Sequence, residues 1–290
     1  MRSLILVIGL LVAARPVVSQ KRGFVEGRSR LYYESIGSGS ETIVVVHGGP
    51  ALAHDYMRPE WDQLVTSGRV IYYDQNGCGK SGRVSPYGWH SHVEDLDRLL
   101  DTLARDGPVV LAGSSWGSML ALYYTYQHPE RVKALILSGV PLGTVGAAPK
   151  SSTSWRPPSR SRLDSVNRGL RVGPSNPRPP LEPRLQQRIK EDCADVAAII
   201  NMSLGDVPRP WQLKTITVPA LVIHGSNPEQ MSGDGGPGLA TILPNAKLIT
   251  IPNAGHDPWL DQPKMFFGAA NSFLGELPTT RPRPSTPAIR

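Results

Sequence analysis

The sequence predicts an α/β protein: a mostly parallel central sheet flanked by helices, with a cap inserted between two of its strands. Three observations carry this expectation. Continuous apolar runs rich in β-branched residues, such as "TIVVV" and "PVVLA", suit strands buried on both faces. They alternate with stretches of helical apolar spacing, which calls for crossover connections and parallel neighbours. The alternation lapses from about Pro141 to Trp211 and resumes at "VPALVIHG", so the intervening stretch reads as an insertion into one core.

Taken in order, Arg2 precedes "LILVIGLLVAA", an apolar run of roughly a dozen residues. That length suits the h-region of a signal peptide and falls short of the ~20 residues that span a bilayer. Cleavage after Ser19 would leave Val17 and Ser19 at the recognition positions. Residues 1–19 are therefore expected to be a signal peptide, and the product to be secreted or periplasmic with no membrane span after cleavage. "GRSRLYYESIGSGSETIVVVHGGP" reads as two strands around a Gly/Ser turn, and "GRVIYYD" as a third, ending in the loop "QNGCGKSG". In "SHVEDLDRLLDTLARDG", Ser91 and Glu94 form a capping-box pattern, Val93, Leu96, Leu99, Leu100 and Leu103 recur at helical spacing, and Gly107 is the expected stop. A strand "PVVLAG", a helix "SMLALYYTYQHPE" and a strand "KALILSG" follow. Within the lapse only "PRLQQRIKEDCADVAAIINMSL" is helical, with Pro183 near its start. "VPALVIHG" and "PNAKLITIPNAGH" restore the sheet and "PKMFFGAANSFLGEL" closes it with a helix. The expected division is a core over 20–140 and 212–276, a Pro/Arg/Ser-rich, partly disordered cap over 141–211, and a disordered tail over 277–290.

Composition agrees with one large folded core: 290 residues, 40% hydrophobic and 19% charged. The net charge of +7 does not indicate a nucleic-acid partner, because residues 150–190 carry ten basic side chains against Asp164 and Glu182. A Pro-Arg-Ser run of this kind is a solvated stretch, and no aromatic platform for stacking bases accompanies it. Cys78 and Cys193 are too few for a disulfide framework.

Two phosphate-binding patterns share one loop and fail on context. "GCGKSG" puts Gly77, Gly79 and Gly82 in G-x-G-x-x-G register and contains Gly-Lys-Ser. A phosphate loop needs glycine where Asp74 stands, and a dinucleotide fingerprint must open into a helix, which Pro86 and Gly88 prevent. No cofactor or metal is expected.

"LAGSSWGSM" is more specific. Strand, Gly113-Ser114-Ser115-Trp116-Gly117, then helix is the setting of a G-x-S-x-G nucleophile elbow. The strained turn needs small residues two before and two after the nucleophile. Ser115 meets that test; Ser114 and Ser118 do not. Trp116 N–H at the helix start is one candidate oxyanion donor, and Gly48 or Gly49 of "HGGP" supplies the second. A serine also needs a base and an orienting acid. His256, in the Gly/Pro-marked loop "NAGHDPW" after the last strand, is the candidate base; His47 is read as structural, and His54, His90, His92, His128 and His224 as ordinary core or surface residues. The acid is sought in "SNPEQMSGDGGPG", where Glu229 is the choice and Asp234 the runner-up.

These residues resemble the α/β-hydrolase superfamily and, within it, the prolyl aminopeptidase (proline iminopeptidase) family. The likeness runs from "RLYYESIGSGSETIVVVHGGP" through "VIYYDQNGCGKSG" and "GSSWGSMLALYYTYQHPERV" to "IPNAGHDPW". It implies an α/β-hydrolase fold, Ser115 as nucleophile, His256 as base, and Gly48, Gly49 and Trp116 around the oxyanion. It also implies small peptide substrates with a free amino terminus, held by cap carboxylates; Glu191, Asp192 and Asp195 are the candidates here, with Glu191 and Asp195 on one helical face. The chain departs from the family at Ala51 (glycine in HGGPG), at Asn76 (arginine in DQRGCG) and at Pro228 (the usual triad aspartate, one residue before Glu229). Those departures keep two other readings open: a carboxylesterase or amidase on small substrates, and a non-catalytic binding protein of the same fold.

Overall fold

The computed structural model describes residues 19–39, 41–49, 52–141, 194–227 and 235–278. An eight-stranded sheet organises them: β1 (Gln20–Val25), β2 (Leu31–Ile36), β3 (Thr42–Val46), β4 (Arg69–Tyr73), β5 (Val109–Ser114), β6 (Val132–Ser138), β7 (Ala220–Gly225) and β8 (Ala246–Ile251). The spatial order is β1-β2-β4-β3-β5-β6-β7-β8. β1 and β2 form an antiparallel edge, and every pairing from β4 to β8 is parallel. The helices are α1 (Trp89–Leu103), α2 (Trp116–Gln127), α3 (Ala194–Ser203), α4 (Pro210–Leu213), α5 (Gly236–Ile242), α6 (Pro258–Asp261) and α7 (Pro263–Glu276).

β3 shows why its sequence is apolar throughout. Ile43 and Val45 join a layer with Trp61, Phe266 and Phe267, while Val44 and Val46 join the opposite layer with Leu96, Leu99 and Leu120. Side chains alternate across a strand, so a strand covered on both faces has no position for a polar residue. Each such side chain contributes about 1.5–3 kcal/mol on burial. α1 keeps an amphipathic pattern with Val93, Leu96, Leu99 and Leu100 buried, whereas α2 is buried at every residue from Trp116 to Thr125.

Register places the site. Val46 pairs with Gly113 and Ser114 with Ser138, so the carboxyl ends of β3, β5 and β6 lie side by side. Gly225 pairs with Ile251, which brings the ends of β7 and β8 to the same rim. In parallel sheets that rim is where ligands bind.

Several expectations are corrected. The Ser91–Glu94 capping box does not form: α1 begins at Trp89 with Gly88 as its cap, and Ser91 Oγ donates to the carbonyls of Pro86 and Gly88 at 2.9 and 2.8 Å. α1 ends at Leu103, before Gly107. β1, α5 and the 3₁₀ stretches His54–Met57 and Glu60–Thr66 add elements that periodicity did not signal. β1 escapes notice because its pattern is that of a solvated edge, with Gln20, Lys21 and Arg22 exposed. Of the helix expected over 183–204, α3 is the described part; the proposed signal peptide up to residue 18, most of the proposed cap and the tail beyond 278 lie outside the described residues. Among the described residues no helix is long and apolar enough to cross a membrane.

Candidate active site

β5 ends at Ser114 and α2 begins at Trp116, so Ser115 alone turns strand into helix. Its backbone sits at φ 56°, ψ −122°, costly for a residue with a side chain and tolerated where packing enforces it. The packing is visible. A Cβ on Gly117 would strike the carbonyl oxygen of Val46, and one on Gly113 would lie 2.6 Å from the Gly117 carbonyl group. The strand and helix approach too closely for anything but glycine.

The three serines separate cleanly. Ser118 is fully buried; its hydroxyl is shared between the carbonyls of Gly113 and Ser138, each 2.8 Å away, and accepts Ser138 N–H. Ser114 is also fully buried and donates to Asp257 Oδ1 at 3.2 Å. Ser115 is half-buried at the rim.

His256 lies in the loop after β8 and comes back to the elbow through the end of β6. Gly139 has φ +57°, and a Cβ there would stand 3.1 Å from His256 Cε1 and 2.6 Å from its carbonyl oxygen. On the other side of the same step, the Ser138 carbonyl accepts Ser115 N–H at 2.8 Å. Ser138–Gly139 therefore touches both predicted residues. The histidine loop is pinned on each flank: Gly255 N–H donates to Asp261 Oδ2 at 2.7 Å, and Asp257 Oδ1 accepts from Ser114 and, at 3.1 Å, from Trp259 Nε1.

The "HGGP" loop abuts the elbow, for a Cβ on Gly48 would lie 3.2 Å from Ser115 Cβ. His47 is fully buried and structural. Its Nε2 accepts Gln75 N–H at 3.0 Å, which leaves Nδ1 to donate to Gly48 O at 2.9 Å. Burial holds the imidazole neutral, with its pKa pushed down to about 4. Gln75 ties the loop to the elbow, donating to His47 O at 2.8 Å and accepting from Trp116 Nε1 at 2.9 Å. Gly48 N–H donates to Tyr56 Oη at 2.9 Å and so supports the loop itself. Gly49 N–H is the second candidate donor of this loop. Trp116 N–H, in the first turn of α2, has no intrahelical acceptor.

Glu229, Asp234, Glu191 and Asp192 lie outside the described residues, and Asp195 falls on α3. The flanks of the acid segment are anchored beside His256: Asn227 N–H donates to Ala254 O at 2.9 Å, and Gly235 N–H to Val140 O at 2.6 Å.

One cluster escaped the sequence reading. His54 is fully buried, with Nδ1 2.7 Å and N–H 2.9 Å from Asp74 Oδ1, while Lys80 N–H donates to Asp74 Oδ2 at 2.8 Å. Burial raises the Asp74 pKa, but the bond from His54 and the neighbouring charge outweigh it and the net shift is downward. This carboxylate organises "GCGKSG", where Gly77 and Gly79 adopt φ +85° and +52° and a Cβ on Gly79 would strike the Asp74 carboxylate. The loop is a turn closed on its own carboxylate, and no helix begins until Trp89. Cys78 is buried within it; Cys193 lies outside the described residues.

Comparisons with known proteins agree with this architecture. The chain is 37% identical over 117 residues to a proline iminopeptidase of Clostridioides difficile, covering 38% of this chain and 39% of that protein. It is 40% identical over 116 residues to one from Lactobacillus crispatus, covering 37% and 39%. The match thus spans about two fifths of the length of these curated relatives. Among solved structures, an esterase from Thermogutta terrifontis superposes with TM-score 0.62 at 23% identity, and a proline iminopeptidase from Mycobacterium smegmatis with TM-score 0.67 at 20% identity. Each pairing covers 88% of this chain and 98% of the other, and shows a shared fold. The model of the alpha/beta hydrolase family matches residues 43–269, which include the elbow, the "HGG" loop and the histidine loop, and the chain belongs to that family.

Proposed function

We propose that the protein is a serine hydrolase working through an acyl-enzyme, and that it is an aminopeptidase-like peptide hydrolase of the proline iminopeptidase type. The observation that carries this reading is the Ser138–Gly139 step, which accepts Ser115 N–H on one side and packs against the His256 ring on the other. In the proposed cycle His256 takes the proton from Ser115 Oγ as the oxygen attacks the substrate carbonyl carbon. Trp116 N–H and Gly49 N–H receive the oxyanion, with Gly48 holding the loop. His256 returns the proton to the leaving amine, and a water molecule repeats the sequence on the acyl-serine. Glu229, or Asp234 as runner-up, orients His256. A positioned base contributes about 10²–10⁴ in rate and a single oxyanion donor about 10²–10³. Glu191, Asp192 and Asp195 are the proposed partners of the substrate amine.

The test uses a fluorophosphonate probe together with proline naphthylamide and a nitrophenyl ester. Labelling at Ser115, lost in Ser115→Ala, with cleavage of the naphthylamide supports the whole reading. Cleavage of the ester alone moves the substrate class to small esters. An unlabelled Ser115 with neither substrate cleaved identifies a non-catalytic binding protein. Export by residues 1–19 is part of the proposal, and amino-terminal sequencing of the mature protein should begin at Gln20.

A further inference from the structure

Asp257 follows the predicted base directly, Ser114 precedes the predicted nucleophile directly, and the two side chains meet although they stand 143 residues apart. Ser114 Oγ donates to Asp257 Oδ1 at 3.2 Å, and Trp259 Nε1 donates to the same oxygen at 3.1 Å. Ser114 is fully buried and so is Trp259, which packs against Tyr56 with ring centroids 5.8 Å apart. Tyr56 in turn accepts Gly48 N–H. A closed circuit therefore runs from the elbow through Ser114, Asp257, Trp259 and Tyr56 to the "HGG" loop and back to Ser115.

We propose that Ser114 and Asp257 are positioning residues whose hydrogen bond holds the His256 loop in register with the Ser115 elbow. This rests on the reading of Ser115 and His256 as the reacting pair. A base carried on a loop beyond the sheet must be fixed by that loop's own contacts, and an error near 1 Å in a reacting group costs about 10²-fold in rate. The bonds of Gly255 and Ala254 hold the loop to its own neighbourhood, whereas the Ser114–Asp257 contact joins the residue before one group directly to the residue after the other. The contact leaves Ser115 Oγ itself unengaged by the brace. The hydroxyl is fully buried, and Asp257 Oδ1 collects a second bond from the equally buried Trp259, so the contact is held between two packed side chains.

The test compares Ser114→Ala, Asp257→Ala, their combination and Asp257→Asn in the full chain. The asparagine keeps the acceptor oxygen and should behave like the unaltered protein. Hydrogen–deuterium exchange over 252–260 reads the brace whatever the chemistry of Ser115. Exchange should rise about tenfold in Ser114→Ala and at least as much in Asp257→Ala, which also loses the Trp259 bond, no further in the double variant than in Asp257→Ala, and stay unchanged in Asp257→Asn. Where the unaltered protein takes the fluorophosphonate at Ser115, the labelling rate should fall about tenfold in the same pattern, with the probe's saturation constant unmoved. Unaltered exchange in the alanine variants, or additive effects in the double variant, would overturn the brace. A raised exchange with no labelling of the unaltered protein would instead overturn the reading of Ser115 while leaving the brace intact.

Discussion

Replacing Gly117 by alanine gives the elbow its severest trial. The new methyl would strike the Val46 carbonyl oxygen and lie 2.7 Å from the carbonyl oxygen of His47. Both obstacles are backbone, and β3 is bonded to β4 on one side and β5 on the other, so neither can swing aside as a side chain would. Relief requires the end of β3 and the start of α2 to part by on the order of 1 Å, a small-to-large change that costs about 1–3 kcal/mol. Against a total stability of about 5–15 kcal/mol the protein should still fold. The same displacement shifts Gly48 and Gly49 relative to Ser115, and should lower reactivity about 100-fold. Urea unfolding and the rate of fluorophosphonate labelling measure the two effects on one preparation. A variant within threefold of the unaltered rate and equal in stability would refute the claim that close backbone approach dictates this glycine.

Three further outcomes are expected. Burial presses the pKa of His47 down to about 4 and that of His92 to about 3, from 6.5, so the unfolded chain binds protons first. Stability should therefore fall between pH 6.5 and about 4, by about 1.4 kcal/mol per pH unit for each ring, and unfolding midpoints unchanged from pH 7 to 4.5 would contradict this. The Asp74 pKa is lowered, so its contribution is present above its unfolded value and fades only as acid titrates the folded carboxylate; Asp74→Ala should cost about 3–5 kcal/mol at pH 7, and a loss under 1 kcal/mol in urea unfolding would discount the buried pair. Gly268 lies within α7 with nothing near its missing Cβ, so Gly268→Ala should stabilise by about 0.5–1 kcal/mol in a thermal melt, the opposite sign to Gly117→Ala.

What the sequence disclosed follows from the range of the forces involved. β3, β5 and β7 are buried on both faces and announce themselves as unbroken apolar runs, and the glycines around Ser115 mark a close approach that only glycine permits. β1 is solvated and looks like a loop, while α5 hides behind a Gly-Pro-Gly start. The capping pattern at Ser91 misled because the chain from Gly88 already provides the helical entry, leaving the hydroxyl to turn back on carbonyls. Contacts such as His54 with Asp74, or Ser114 with Asp257, depend on loops meeting in space and have no periodic trace. Polar partnerships of this sort exist only in the folded chain.

The sheet order has a last implication for how reactivity arises. β6 lies between the strand that presents Ser115 and the pair of strands that delivers His256. If the two react together as proposed, no fragment lacking β6, β7 and β8 holds both, and the pair is complete only once the final third of the polypeptide docks. Under that proposal, covalent capture of Ser115 by a fluorophosphonate would count completed molecules and so report maturation of the entire domain.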